Sequence, residues 1–410
     1  MRAGAVVGFA EQAQPARPGA VAFDAGRVLA AGPASDVERR YADAATRTVD
    51  LPDRVVVPGL VNAHGHLELT AVGPRPYPGS FTGWVRNLLE ARPTEPAAIA
   101  ASVARGVALS AAAGTDAVGD IGGAAAGQDA AWAVLRDAAL GGVFFPELIA
   151  QAPERTDSEL ERLAALPADS GPPGAMRLGV SPHAPYSTGP RVYDAAARAA
   201  QDRGLAVTTH LAETPDEARF VAEAAGPFRD FLEERGAWND EVGGAYGGGL
   251  SPVRWMEPYL RRAPWLLAHC NYVSDDDIEL LGQTRASVAY CPIASEYFGH
   301  EKHRYRDMLE AGVNVCLGTD SIVCQPPAPQ EKQPLGVLPQ MRRLHRRDGT
   351  DPGLLLEMAT AHGRRALQVD GPLHRLAALR FDPDDPTDAL KQAMGRTDPA
   401  QAIELSVTRS

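Results

Sequence analysis

The chain has 410 residues, a net charge of -12 and an ordinary globular composition, 45% hydrophobic and 22% charged. The negative balance argues against nucleic acid or an anionic membrane as the main partner, and no apolar run is long enough to span a bilayer. Four cysteines without a CxxC pair (Cys270, Cys291, Cys316, Cys324) do not make a disulfide framework; buried free thiols in a reducing cytoplasm are the expectation.

Residues 1–57 hold short β-like runs split by Gly and Pro. "MRAGAVVGFAEQAQ" has one Arg and a short apolar run, and reads as a first strand rather than a signal peptide. "DAG" between two apolar runs is a hairpin signal. Eight further runs follow: "GLVNAHGH" (59–66), "TDAVGDI" (115–121), "GVFFPELIA" (142–150), "RLGVSPHAP" (177–185), "LAVTTHLAE" (205–213), "WLLAHCNY" (265–272), "SVAYCPIAS" (287–295) and "VNVCLGTDS" (313–321). Between them lie stretches such as "GPRVYDAAARAAQDRG", with helical periodicity and a Gly stop. The alternation suggests a (β/α)8 barrel, although a doubly wound sheet alternates too. "NDEVGGAYGGGLSPVRW" (239–255) reads as a Gly-rich mouth loop and "CQPPAPQEKQP" (324–334) as a Pro-rich rim segment. The tail from 373 mixes a β-like run with a helix. The expected division is a small β-rich domain from 1–57 and 366–410, and a barrel domain over 58–365.

Several runs end in a reactive side chain: His64 and His66, His183, His210, His269, Asp320. In a barrel the C-terminal strand ends share one mouth, so residues far apart in sequence converge there. His64 and His66 stand at i and i+2, on one side of a strand. With His210 and Asp320 they offer three nitrogens and one oxygen, a donor set for zinc or iron. A divalent cation so held activates water at neutral pH, and a carboxylate nearby moves the proton. Glu213, three residues past His210, suits that task; His269 can bind metal or hydrogen-bond the water. A single histidine in a strand is more often a core or rim residue, and His183 alone carries no more than that reading. H-x-H, H-x-x-E, HC and TDS, in this order and each at a strand end, favour the metal reading strongly.

Together "VVPGLVNAHGHLELT", "VSPHAPYS", "THLAETPDE", "LLAHCNYVSDDDIELL", "AYCPIAS" and "GVNVCLGTDS" resemble the amidohydrolase superfamily, over nearly the whole chain. The resembling branch contains cytosine and S-adenosylhomocysteine deaminases and triazine chlorohydrolases. The resemblance implies a (β/α)8 barrel with one divalent metal, zinc ahead of iron, on His64, His66, His210 and Asp320. It implies Glu213 as proton shuttle and His269 as the group that orients the attacking water, with Asp320 completing the catalytic set. Two-metal relatives use a carboxylated lysine on a middle strand; the only lysines here are Lys302, Lys332 and Lys391, so that bridge is excluded. Some use a glutamate instead, for which Glu147 is the candidate.

"NAHGHLELT", "FTGWVRNLLEAR" and "AGPFRDFLEERGAW" resemble the aminodeoxyfutalosine deaminases of menaquinone synthesis. That implies a small heteroaromatic substrate and water as partners, Trp84 lining the pocket and His183 against the ring. Simple packing explains Trp84 equally well. Four departures touch the substrate: Gly65 where Thr is usual, which removes a hydroxyl near the metal; the 324–334 segment; His300 and His303 near the mouth; and no "PGKxADL" element. Hydrolysis of another C–N or a C–Cl bond, a catalytically silent barrel, and assembly with identical chains stay open.

Overall fold

The computed structural model describes all residues except 10–13, 46, 124–126, 168–173, 328–334 and 406–410. Two sheets organise it. The smaller is built from β1 (Arg2–Val6), β2 (Gly19–Asp24), β3 (Arg27–Pro33), β4 (Asp50–Pro58), β13 (Arg375–Arg380) and β14 (Gln401–Glu404), in the order β14-β13-β4-β1-β2-β3. The "DAG" hairpin turns at Ala25-Gly26, both with positive φ, as a tight turn between twisted strands requires. β13 lies antiparallel to β4, so the end of the chain returns to pair with its beginning.

The larger sheet runs β5 (Leu60–Gly65), β6 (Thr115–Gly122), β7 (Gly141–Leu148), β8 (Met176–Pro182), β9 (Ala206–Leu211), β10 (Trp265–His269), β11 (Ser287–Tyr290) and β12 (Asn314–Leu317), all parallel and in sequence order. The eight expected runs are these eight strands. A bridge between Gly65 and Asp320 closes the ring, with the Thr319 and Asp320 amides both donating to the His64 carbonyl at 3.0 Å. Closure leaves no sheet edge, and the doubly wound alternative is set aside.

Alternation splits each strand between two cores. Val61, Ala117, Val143, Phe145, Ala206, Leu266, Ala289 and Cys316 form one cluster with Ala366 and Leu367 of the helix Ala361–Leu367, which plugs the barrel from below. Val180, Val207, Leu267, Val288 and Val315 join the larger cluster under the surrounding helices. All four cysteines are buried and free. No helix among the described residues is long and apolar enough to cross a membrane.

One loop assignment changes. Within 239–255, Asp240–Gly243 forms a helical turn capped by Asn239, and a helix Pro252–Leu260 starts at Ser251. Both starts are set by side-chain caps that the glycine content of the stretch obscured. The 324–334 segment starts at the last residue of a 3-10 turn, Ile322–Cys324, and its part over 328–334 lies outside the described residues.

Candidate active site

His210 is the simplest group to place. It shares the inner face of β9 with Ala206, four residues earlier, so regular alternation aims it into the barrel mouth. Its Nδ1 donates to the His183 carbonyl at 3.0 Å, which fixes the tautomer and leaves Nε2 with its lone pair. That Nε2 lies 3.3 Å from His66 Nε2.

The other groups arrive by irregular backbone. On β10, Trp265 and Leu267 point outward, so alternation sends His269 outward as well. A left-handed φ of 74° at His269 and 52° at Cys270 turns the ring back, to 5.3 Å from His64 and 5.5 Å from His210. Asp320 has φ 55° and Ala212, beside Glu213, φ 50°. Such non-glycine residues cost about 1–3 kcal/mol each, and such strain concentrates where side chains must be aimed. On β5 a register break between Asn62 and Gly65 does the same work. It leaves the His64 and His66 rings 5.0 Å apart and nearly perpendicular. Gly318 is required here, because a Cβ would sit 2.9 Å from the His64 Cβ and 2.8 Å from Cys291 Sγ.

The eight residues singled out from sequence converge. His64, His66 and His210 form one cluster of potential ligand atoms, all within 4.8 Å of one another, and Glu213, His269 and Asp320 a second. Asp320 Oδ1 is 3.5 Å from His66 Nε2 and 4.0 Å from His64 Nε2. His269 Nε2 is 3.5 Å from Glu213 Oε1. Glu147, His183 and His210 form a third cluster. An open cavity of about 300 Å³ is lined by His66, Glu213, His269, Asp320, His183 and Trp84 among others, with His64 buried beneath them.

Burial, followed by the neighbouring imidazoles, holds His64 and His66 well below the usual histidine range, and burial first pushes His210 down to about 4. These rings are therefore neutral and carry free lone pairs. Burial pushes Asp320 up to about 6, and burial with the charges of Asp320 and Glu217 raises Glu213 well above the carboxylate range. Both ring nitrogens of His64 and Nε2 of His269 are buried without a hydrogen-bond partner among the described residues. Neutral imidazoles and destabilised carboxylates around orphaned nitrogens are what a divalent cation satisfies. The donor set thus fits a metal.

Sequence reasoning passed over the groups that hold this set in place. Glu217 accepts from the amides of Ala212 and Glu213, each at 2.8 Å, while Thr214 caps the helix Pro215–Glu223. Thr-x-x-Glu is a capping signature, so that signal was present. Asn271 donates to the Glu213 carbonyl at 3.0 Å and accepts from Ser295 Oγ at 2.9 Å. Glu68 accepts from Arg92 at 2.7 Å and from the Gly123 amide at 3.1 Å.

Three expectations change in detail. A Cβ on Gly65 would meet Asn62 Nδ2 at 3.1 Å and Thr319 Oγ1 at 3.6 Å, so the missing side chain faces the Asn62–Thr319 hydrogen bond rather than the ligand rings. His303 lies behind the site: its Nε2 donates to the His269 carbonyl at 2.7 Å, and its ring stacks on Tyr290 at 3.7 Å. His300 bonds Tyr272 OH at 2.7 Å. Trp84, on the helix Phe81–Ala91, both lines the cavity and packs against Phe81 and Phe298, at 5.5 and 5.1 Å.

Comparison with known proteins agrees with this architecture. The sequence pattern of the amidohydrolase family matches residues 55–378. The aminodeoxyfutalosine deaminase of Deinococcus radiodurans is 28% identical over 378 residues, covering 87% of this chain and 83% of that protein. The structure of Helicobacter pylori aminofutalosine deaminase in complex with methylthio-coformycin superimposes with a TM-score of 0.78 at 17% identity, over 99% of this chain and 98% of that one. Atrazine chlorohydrolase from Arthrobacter aurescens, complexed with zinc, gives a TM-score of 0.76 at 20% identity, over 98% and 93%. At these identities the structural likenesses speak for the fold alone.

Proposed function

The chain belongs to the amidohydrolase family, and from that premise we propose that it is an aminohydrolase that removes the amino group of an adenine-type nucleoside, with aminodeoxyfutalosine of menaquinone synthesis as the first candidate. The observation that carries the reading is the pairing of Glu213 with His269, 3.5 Å apart, directly beside the three-histidine cluster at the cavity floor. The 28% identity to a deaminase over most of both chains supports the choice of leaving group.

His64, His66, His210 and Asp320 would hold one divalent ion, zinc before iron; the three-histidine cluster, with Asp320 Oδ1 3.5 Å from His66 Nε2, supports this. When bound, the ion lowers the pKa of water and supplies a nucleophile at neutral pH. The protein's own groups do the rest. Glu213 and His269 share a water between them and aim it at the carbon that bears the amino group. Glu213 takes a proton from that water and gives it to the adjacent ring nitrogen, which makes the carbon electrophilic. The water oxygen bonds to the carbon, a second proton passes to the amine, and the C–N bond breaks to release ammonia. His183 faces the ring edge, and Trp84 with Tyr186 and Phe228, stacked at 3.8 Å, supplies an apolar wall for a flat substrate.

The test is ammonia release from aminodeoxyfutalosine, adenosine, S-adenosylhomocysteine, guanine and cytosine by metal-loaded protein. Turnover of an adenine nucleoside is expected. Silence on all five, with chloride released from a chlorotriazine, replaces deamination by displacement at a C–Cl bond.

A further inference from the structure

Glu147 is the polar exception in β7, whose sequence "GGVFFPEL" is buried at every position. Its side chain is 6% exposed, yet Oε1 has no hydrogen-bond partner among the described residues. A buried carboxylate oxygen left without a donor is costly, so a Leu or Met would pack there at lower cost unless something supplies the donor. The surroundings do not. Arg92, whose charge reaches Glu147, bonds Glu68 through Nη2 at 2.7 Å, and its Nε makes no bond to Glu147. His183 Nε2 stands 3.8 Å from Glu147 Oε1, beyond hydrogen-bond range, and its ring is fixed from the other side by a 2.6 Å bond between Nδ1 and Ser187 Oγ. Glu147 and His183 both line the cavity that holds Glu213 and His269.

We propose that Glu147 is a substrate-recognition residue, whose carboxylate accepts a hydrogen bond from a sugar hydroxyl of the substrate beside the ring edge that His183 faces. The inference rests on the deaminase reading for the substrate's orientation. A cation at this point is the weaker occupant, although Glu147, His183 and His210 lie close enough to hold one. His210 has spent Nδ1 on the His183 carbonyl, and its Nε2 belongs to the His64 and His66 cluster. Two ligands would remain, fewer than a closed metal site uses. In an adenine nucleoside no ring nitrogen carries a hydrogen and the exocyclic amine is the reacting group, so the donor is a sugar hydroxyl, and the deoxynucleosides tell which one.

Wild-type holoenzyme and Glu147→Gln are compared on adenosine, 2′-deoxyadenosine, 3′-deoxyadenosine and adenine, with KM and kcat read separately, and with Kd for inosine by calorimetry. Glu147→Gln is expected to raise KM for adenosine, and Kd for inosine, by about 10–100-fold, the range for a hydrogen bond to a charged group. Metal content and kcat are expected to stay within about 2-fold of wild type, for want of contact with the reacting atoms. If a sugar hydroxyl is the donor, the variant's penalty disappears on the deoxynucleoside that lacks it. Adenine, which lacks the sugar, is expected to show no penalty, and a penalty that persists on adenine overturns the proposal. Unchanged KM and Kd throughout, or loss of about one metal equivalent, overturns the proposal. Should Glu147→Gln fail to fold, Glu147→Asp is read in the same way. Absence of ammonia from every nucleoside sinks the deaminase reading alone, since the inosine Kd still reports on Glu147.

Discussion

The floor and the outer wall of the cavity are built by opposite means. The floor comes from strand ends of a closed barrel, and its groups are tied by short hydrogen bonds: His210 to the His183 carbonyl, Glu217 to the amides at 212 and 213, Asn271 to the Glu213 carbonyl. The wall comes from the helices Phe81–Ala91 and Pro227–Glu234 and from Tyr186, which meet through aromatic faces. Hydrogen bonds on a rigid frame hold positions to within the tolerance that proton transfer needs. Stacked rings hold a shape while admitting changes in what fits. The difference teaches where to look for each property: reaction type at the floor, substrate choice at the wall and at Glu147.

Breaking the floor should give the largest effects. His210→Ala removes an imidazole from the centre of all the rings around it, and bound metal and activity should both be lost, as metal analysis beside an ammonia assay will show. Retention of stoichiometric metal would remove His210 from the ligand set. Glu213→Gln keeps the shape and the amide contacts of its backbone, so it should retain metal while kcat falls by about 10²–10⁴-fold. Full activity would mean that another group moves the proton. His303→Phe tests the layer behind the floor. The ring can still stack on Tyr290, while the bond that steadies the strained His269 backbone is lost. Activity should drop about 10–100-fold through kcat, as for partners that orient ligands from behind. A change in KM alone would show that His303 acts on the substrate pocket instead.

The same contrast explains what the sequence disclosed. The strands were legible because burial on both faces writes continuous apolar runs, and the motif residues stand at their ends. The side each residue faces was legible only where the strand is regular, as at His210. For His269 the alternation rule points the wrong way, because left-handed φ at a non-glycine residue leaves no mark in the sequence. At Gly65 the glycine was visible, but the register break that turns its missing side chain toward Asn62 was not. Glu217 was visible as a capping signature, yet its reach to residues 212 and 213 depends on the turn that follows β9. The wall was least legible, since Phe81, Tyr186 and Phe228 meet through the packing of two helices and a turn distant in sequence.

The smallest effect should come from the wall, and it is the one that tests the comparison most directly. Trp84 has two jobs, packing against Phe81 and Phe298 and facing the cavity. Trp84→Phe keeps most of the first and reduces the second, because a smaller ring still fills the contact but covers less of a flat substrate. Stacking of this kind is worth about 0.5–1.5 kcal/mol beyond buried area, so KM should rise by about 2–10-fold with kcat nearly unchanged. Thermal unfolding run alongside separates the two jobs: a lowered midpoint with unchanged KM would assign Trp84 to packing alone. A fall in kcat without a change in KM would mean that the wall positions the reacting groups, and the division between a floor that sets chemistry and a wall that sets choice would fail.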